Sequence, residues 1–228
     1  MKAMILAAGR GERMGNLTQN CPKPLLKVKG RCLIDWHLIK LSEAGFKDIV
    51  INVAYLSKEI IDFVSDGSNW KLNVTISEEI EALETAGGIK KAIKYLGDDP
   101  FAVINADIFS DYNYKNLKMI TLQKKSVGHL VLVNNPEHNL KGDFGIMDDG
   151  ILTMNSERPL TFSGIAIYDP KFFSELAEGN KIKLAPILEI AINKKCIQGE
   201  LFEGLWSDVG TPERLKMINL DEWRHEGL

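Results

Sequence analysis

Short apolar runs alternate along this chain with stretches whose apolar residues recur at helical spacing. Lys2–Ala7 reads as a strand. Leu33–Ala44 (LIDWHLIKLSEA) has helical spacing and stops before Gly45, a residue suited to a helix C-terminus. Asp48–Val53 (DIVINV) is predicted as the next strand, Ser57–Val64 as a helix, Leu72–Ser77 as an alternating strand and Gly87–Leu96 as a helix. Phe101–Ala106 (FAVINA) is almost continuously apolar, the pattern of a strand buried on both faces. Asn113–Lys125 follows as a predicted helix and Val127–Val133 as a strand. This β-α-β-α rhythm predicts an α/β fold with a mostly parallel sheet flanked by helices.

The rhythm changes in the last third. Phe144–Thr153 carries Asp149-Gly150 between apolar runs and reads as a small hairpin. Thr161–Tyr168 is predicted as a strand, Leu184–Lys194 as a helix and Cys196–Phe202 as a strand. Thr211–Trp223 closes the chain as a helix with Pro212 in its first turn. No Ser/Gly-rich linker, low-complexity tract or internal repeat interrupts the 228 residues. The expectation is a single domain over 1–228 with a small β-rich part inserted or appended.

Composition narrows the function classes. Acidic residues number 31 against 28 basic, a formal net charge of −3, which argues against a dedicated nucleic-acid binder. No apolar stretch is long enough to span a membrane, and the apolar run in MKAMILAAGRGERMG is too short for a secretory signal. Cys21, Cys32 and Cys196 fit neither a disulfide framework nor a zinc site. The expected setting is cytoplasmic.

Candidate chemistry begins at Ala7-Ala8-Gly9-Arg10-Gly11, directly after the first strand. A GxG alone is weak evidence, because glycine also serves simple turns. A Walker A loop would need Gly-Lys-Ser/Thr, which is missing. A dinucleotide fingerprint would need a helix starting at the loop and an acidic residue closing the second strand, yet Pro22 and Pro24 punctuate the loop and DIVINV runs into Ala54-Tyr55. The segment from about Ala8 to Pro24 is therefore expected to be a long extended loop, and long ordered loops are usually functional. Arg13 and Lys23 lie in it, at the carboxyl end of a strand where open α/β sheets bind ligands. With glycine-freed N–H groups they make a polyphosphate cradle. Pro22 and Pro24 stiffen the backbone that aims Lys23, whereas Arg10 is assigned to solvent.

LAAGRGERM, Leu17-Thr18, PKPLLKVKG and Leu33-Ile34 together resemble the signature of the sugar-phosphate nucleotidyltransferases. Leu83-Glu84-Thr85-Ala86-Gly87-Gly88, Asn105-Ala106-Asp107, Thr161-Phe162-Ser163-Gly164 and Trp206-Ser207-Asp208-Val209-Gly210-Thr211 continue the likeness in order to the far end of the chain. The resemblance implies a Rossmann-like fold and a reaction that joins a nucleoside triphosphate to a sugar 1-phosphate with release of pyrophosphate. Within the family, the short length and the ETAGG, NAD, GDF and TFSGI elements most resemble the branch that uses UTP and N-acetylmuramic acid 1-phosphate in cell-wall sugar recycling. Other donors (dTTP, GTP, CTP) with other phosphorylated acceptors share the chemistry, and a nucleotide-sensing homologue without activity is the rival class. Asn16, Lys27 and Ala106 depart from the usual pattern at positions that remove no charged group.

The resemblance also implies roles. Mg²⁺ falls to Asp107, which follows the strand FAVIN, and Asp208; two carboxylates suit a cation that prefers oxygen ligands. Lys23, Arg13 and Asp107 are the expected catalytic set, with Lys23 on the α-phosphate and Arg13 on the leaving pyrophosphate beside the N–H groups of Gly11 and Glu12. Ala8 and Gly9 are expected under the nucleobase, with Glu79, Glu84 and Thr85 nearby, although relatives often carry glutamine and glycine where Glu79 and Glu84 stand. Asn105, Asp143, Asn155 and Glu157 are candidates for the sugar, each with a local turn or surface role as its competitor; Arg158 is a candidate for the sugar phosphate. Asp111 is assigned a helix-start role and His37 a surface or half-buried place on its helix. His129, His138 and His225 show no ligand spacing. Trp36, Trp70 and Trp223 read as packing residues, and Lys90, Lys91 and Lys94 as a solvated helix face.

Overall fold

A computed structural model describes residues 1–220. In chain order the elements are β1 (Ala3–Leu6), β2 (Lys27–Val28), β3 (Arg31–Cys32), α1 (Leu33–Glu43), β4 (Asp48–Val53), α2 (Ser57–Val64), β5 (Asn73–Glu78), α3 (Glu84–Leu96), β6 (Phe101–Asn105) and β7 (Ile108–Ser110). The second half holds α4 (Lys115–Met119), β8 (Gly128–Val133), β9 (Gly145–Ile146), β10 (Leu152–Thr153), β11 (Thr161–Tyr168), α5 (Leu184–Asn193), β12 (Ile197–Phe202), β13 (Trp206–Asp208) and α6 (Pro212–Asn219).

Seven strands form the central sheet in the order β12-β8-β11-β6-β1-β4-β5. β6, β1, β4 and β5 run parallel, so Leu6, Val53, Glu78 and Asn105 end on one edge. β11 enters antiparallel between β6 and β8. Alternation along the strands builds a core on each face. Ala3 and Ile5 pack with Ile34, Leu38, Ile51 and Ile104 under α1 and α2. Met4 packs with Val50, Ile89, Val103 and Ala166 under α3 and α5. The predicted hairpin is present as antiparallel β9 and β10, turned at Gly150 with φ +78.

Two expectations need correction. The segment after β1 is not extended: Glu12–Thr18 and Lys23–Leu25 coil into 3-10 turns. Met14 and Leu26 from these turns pack with Val28, Phe109, Val209 and Ile218, which gives the loop a small core of its own. The predicted helix over Asn113–Lys125 shrinks to α4, in which Leu117 is the buried residue, and Ile120 turns extended at ψ 127. β-branched Ile120 and Thr121 favour that exit, and Gln123 N then donates to Gln198 Oε1 beside β12 (2.8 Å). Asn113, not Asp111, makes the local turn there, accepting from Lys115 N at 3.0 Å. The final helix is capped by Thr211, whose Oγ1 accepts from Arg214 N, and ends at Asn219. Leu220, predicted helical, is extended at ψ 150; residues 221–223 of the predicted helix, Trp223 among them, and His225 beyond it, lie outside the described residues.

Candidate active site

The common carboxyl edge of β1, β4, β5 and β6 opens into a cavity of about 510 Å³. Ala7, Asn52, Glu79 and Asn105 come from these strand ends, and Ala8 to Arg13 with Lys23 form the glycine-bearing wall. Every residue expected around the nucleotide lines it: Ala8, Gly9, Gly11, Glu12, Arg13, Lys23, Glu79 and Thr85. Asn105 and Asp107 line it as well, and so does Arg10, which is exposed at its rim as expected of a solvated charge. Arg10 sits over the Tyr55 ring, 5.8 Å from its centroid.

Local chemistry explains the loop. Gly11 takes φ +66, and a Cβ there would come 3.1 Å from Thr18 Cγ2 and 3.2 Å from Lys23 Cβ, so glycine serves both conformation and close approach. Thr18 Oγ1 donates to Gly11 O (3.0 Å), and Tyr55 Oη donates to Gln19 O (2.9 Å), tying the loop to α2's entrance. Lys23, flanked by its two prolines, is buried and its Nζ pairs directly with Asp107 Oδ2. The cation and the carboxylate thus neutralise each other across the cavity floor.

A polar chain that the sequence reading missed lies beneath the expected base position. Asn52 Oδ1 accepts from Ala7 N (3.0 Å), its Nδ2 donates to Glu79 Oε1 (2.7 Å), and Glu79 Oε2 accepts from Leu83 N (2.8 Å). Asn52 and Glu79 are both buried. The available signal was a polar residue inside the otherwise apolar DIVINV. The Gly-Gly pair of ETAGG has a spatial role: a Cβ on Gly88 would meet Glu79 Oε1 at 2.7 Å and Asn52 Nδ2 at 2.8 Å, and one on Gly87 would meet Asn180 O at 2.3 Å. Glu84 holds φ +61 at the start of α3, a left-handed position where glycine is unstrained.

The TFSG element is a β-bulge. Register shifts between Phe162 and Ile165, Ser163 Oγ donates to Val131 O (2.6 Å), and Trp206 Nε1 donates to Ser163 O (2.8 Å). Gly164, at φ +80, lets the Asn105 side chain lie against the backbone, where a Cβ would meet Nδ2 at 2.6 Å. The remaining sugar candidates do not reach this cavity. Asp143 accepts from Phe162 N (2.8 Å) and from Asn139 Nδ2 (3.2 Å), a loop-bracing role. Asn155 N donates to Thr153 Oγ1 at 3.1 Å in a turn, and Glu157 and Arg158 stand exposed beyond it.

β13 pairs antiparallel with β7, Asp208 opposite Ile108, and Val209 N donates to Asp107 O at 2.7 Å. The two aspartates therefore sit on neighbouring rungs. Asp208 does not line the cavity: Arg214 Nη2 lies 3.0 Å from its Oδ2, and His138 Nε2 lies 2.9 Å from its Oδ1. The imidazole is out of hydrogen-bonding alignment, so Asp208 Oδ1 is a buried oxygen without a hydrogen bond. Among the described residues no group of three or more His, Cys, Asp or Glu side chains is arranged for a metal. Mg²⁺ needs fewer, since it binds through one or two carboxylates plus substrate phosphates, and a buried, unsatisfied carboxylate oxygen suits it. His138 was missed because its approach to Asp208 spans distant segments. His37, expected at the surface or half-buried, is fully buried with Nδ1 2.8 Å from Tyr114 Oη, and burial lowers its pKa to about 3.

Residues 2–223 match the family model described as nucleotidyl transferase. The chain belongs to the nucleotidyl transferase family. It is 46% identical over 221 residues to the N-acetylmuramate alpha-1-phosphate uridylyltransferase of Neisseria meningitidis serogroup B, covering 95% of this chain and 96% of that one. It is 31% identical over 234 residues to the mannose-1-phosphate guanyltransferase of Aspergillus oryzae, covering 93% of this chain and 62% of that longer relative. Among solved structures, a Bacillus anthracis chain assigned as a glucose-1-phosphate thymidylyltransferase superposes with a TM-score of 0.83 at 22% identity, covering 100% of this chain and 98% of that one. That likeness shows the fold, including the mostly parallel sheet flanked by helices.

Proposed function

We propose that this nucleotidyltransferase moves the uridylyl group of UTP onto N-acetylmuramic acid 1-phosphate, giving the UDP-sugar and pyrophosphate, in the recycling of cell-wall sugar. The observation that carries the reaction class is the meeting of the glycine loop, Arg13, Lys23 and Asp107 on one cavity at the carboxyl edge of parallel strands. The choice of substrates follows the Neisseria relative, which is similar over nearly its whole length.

In the proposed step, a phosphate oxygen of the sugar 1-phosphate forms a bond to the α-phosphorus of UTP. The bond from that phosphorus to the α,β-bridging oxygen breaks, and pyrophosphate leaves with the electron pair. Both reactants are anions, so positioning and charge neutralisation are the main tasks. Lys23 trades Asp107 for the α-phosphate and offsets its growing charge. Arg13 and the N–H groups of Gly11 and Glu12 hold the β- and γ-phosphates. Asn52 and Glu79 set the floor under the base, Thr85 its side and Asn105 the acceptor side. No general base is needed, because the attacking phosphate is already ionised. Asp107 and Asp208 would hold Mg²⁺, which supplies Lewis-acid neutralisation of phosphate charge when bound.

The test is pyrophosphate release with Mg²⁺, crossing UTP, dTTP, GTP and CTP against the 1-phosphates of N-acetylmuramic acid, N-acetylglucosamine and glucose. Turnover with UTP and the muramic acid compound is expected, and Lys23→Ala should lose about 10²–10³-fold in kcat, as for removal of one charge-stabilising donor. Turnover with a different pair overturns the substrate, and silence across the panel despite nucleotide binding overturns the enzyme.

A further inference from the structure

The segment from Ser207 to Arg214 does more than deliver Asp208. Thr211 and Pro212 start α6 so that Arg214 folds back over the strand it has just left. Its Nη2 reaches Asp208 Oδ2 at 3.0 Å, with side-chain exposures of 15% and 18%. Gly210 lies between them and lines the cavity. A Cβ at Gly210 would stand 1.8 Å from Arg214 Nη2 and 2.7 Å from Asp208 Oδ2. Glycine is needed there for space, so that a guanidinium can rest against the cavity wall.

The contact is incomplete in an informative way. An arginine and a carboxylate usually meet as a two-pronged fork, which satisfies Nε, Nη and both oxygens. Here a single nitrogen comes close, Nη2 at ion-pair distance from Oδ2. Arg214 Nε and Asp208 Oδ1 are both buried and both without a hydrogen bond. A strut that merely fastened α6 to β13 would gain by closing the fork, since each buried unsatisfied polar atom costs about 1–3 kcal/mol.

We infer that Arg214 is a positioning residue for the metal carboxylate: it pairs with Asp208 Oδ2 and leaves Oδ1, which the His138 imidazole approaches at 2.9 Å without a hydrogen bond, for the divalent cation. The inference rests on the assignment of Asp107 and Asp208 to Mg²⁺ proposed above. Gly210 belongs to the same device, because it admits the guanidinium. Lysine could supply the charge at position 214 but not the rigid direction of the planar fork.

Mn²⁺ serves as the probe, with the full chain and UTP, reading free Mn²⁺ by electron paramagnetic resonance. Asp208→Asn and Arg214→Met are each expected to weaken Mn²⁺ binding by about 10–100-fold, the usual loss when a partner of a ligating side chain is removed. Arg214→Lys should recover part of it, and Gly210→Ala, which displaces the guanidinium from the backbone side, should behave like Arg214→Met. In turnover, the half-saturating Mg²⁺ should rise while the KM for UTP at saturating Mg²⁺ holds. Thermal melting of each variant identifies any that fails to fold, and the folded members of the set then decide. Unchanged Mn²⁺ affinity in Asp208→Asn sinks the metal assignment itself. Weakened binding in Asp208→Asn with full affinity in folded Arg214→Met, Arg214→Lys and Gly210→Ala overturns the role of Arg214 alone.

Discussion

Gly88→Ala sets two effects of opposite sign against each other. Gly88 lies inside α3, where alanine is favoured over glycine by about 1 kcal/mol on helix propensity alone. The added methyl, however, would sit 2.7 Å from Glu79 Oε1 and 2.8 Å from Asn52 Nδ2, inside any normal contact distance. Both side chains are buried and pinned at their far sides by Leu83 N and Ala7 N, so neither can step away freely. The methyl must part the Asn52–Glu79 hydrogen bond or lift the helix. Losing a hydrogen bond to a charged group costs about 1.5–3 kcal/mol. Setting the helix gain of about 1 kcal/mol against it leaves a net destabilisation of about 0.5–2 kcal/mol. For a chain of this size that is a fall in Tm of about 1–8 °C. Urea and thermal unfolding of wild type and Gly88→Ala measure it directly. In a Glu79→Ala background the clash with the carboxylate is gone, so the same substitution should cost less, a coupling that a double-mutant cycle reads. A Gly88→Ala protein more stable than wild type would refute the reasoning, because propensity would then have won.

Chelation with EDTA is expected to stop pyrophosphate release, and Mg²⁺ to restore it; full turnover in EDTA would remove the metal from the scheme. His37 has its folded pKa lowered to about 3 by burial, against an ordinary 6.5, so the unfolded chain binds the extra proton first as pH falls. Its contribution is therefore complete above pH 6.5 and lost on the way down to 3; the stability difference between wild type and His37→Asn should shift across that window, and a constant difference contradicts it. Asp143→Ala removes the acceptor for Phe162 N and should lower stability by about 1 kcal/mol while leaving the affinity for UTP unchanged. A selective rise in KM for the sugar 1-phosphate, without loss of stability, would return Asp143 to the acceptor site.

What could be read from the sequence is what a single element states by itself. β4, α2 and β11 fall at the boundaries their patterns predict, because their periodicity and flanking residues agree with the burial they meet. Asp107 is singled out by the Asn105-Ala106-Asp107 motif, since an acid after a strand more often caps or turns, and the fold brings it to the cavity. Asn113–Lys125 misled because its apolar spacing met few buried partners: one leucine was enough to fasten a short helix, and the chain left it. The side-chain pairings that escaped share another property. Asn52 with Glu79, His138 with Asp208 and Arg10 with Tyr55 are pairs brought together by folding, with no common motif to announce them. Arg214 shows the boundary between the two cases. It stands only six positions from Asp208, yet its role is visible only once Thr211 has turned α6 back and Gly210 has made room. The Trp206–Thr211 motif thus names the carboxylate, while the fold supplies the counter-ion that can direct it. Charge balance around the site follows the same rule: Lys23 is matched to Asp107 and Arg214 to Asp208. Each carboxylate is paired in the free protein, so under the proposed mechanism an arriving triphosphate would take Lys23 from Asp107, while the Arg214–Asp208 pair would stay in place beside the cation.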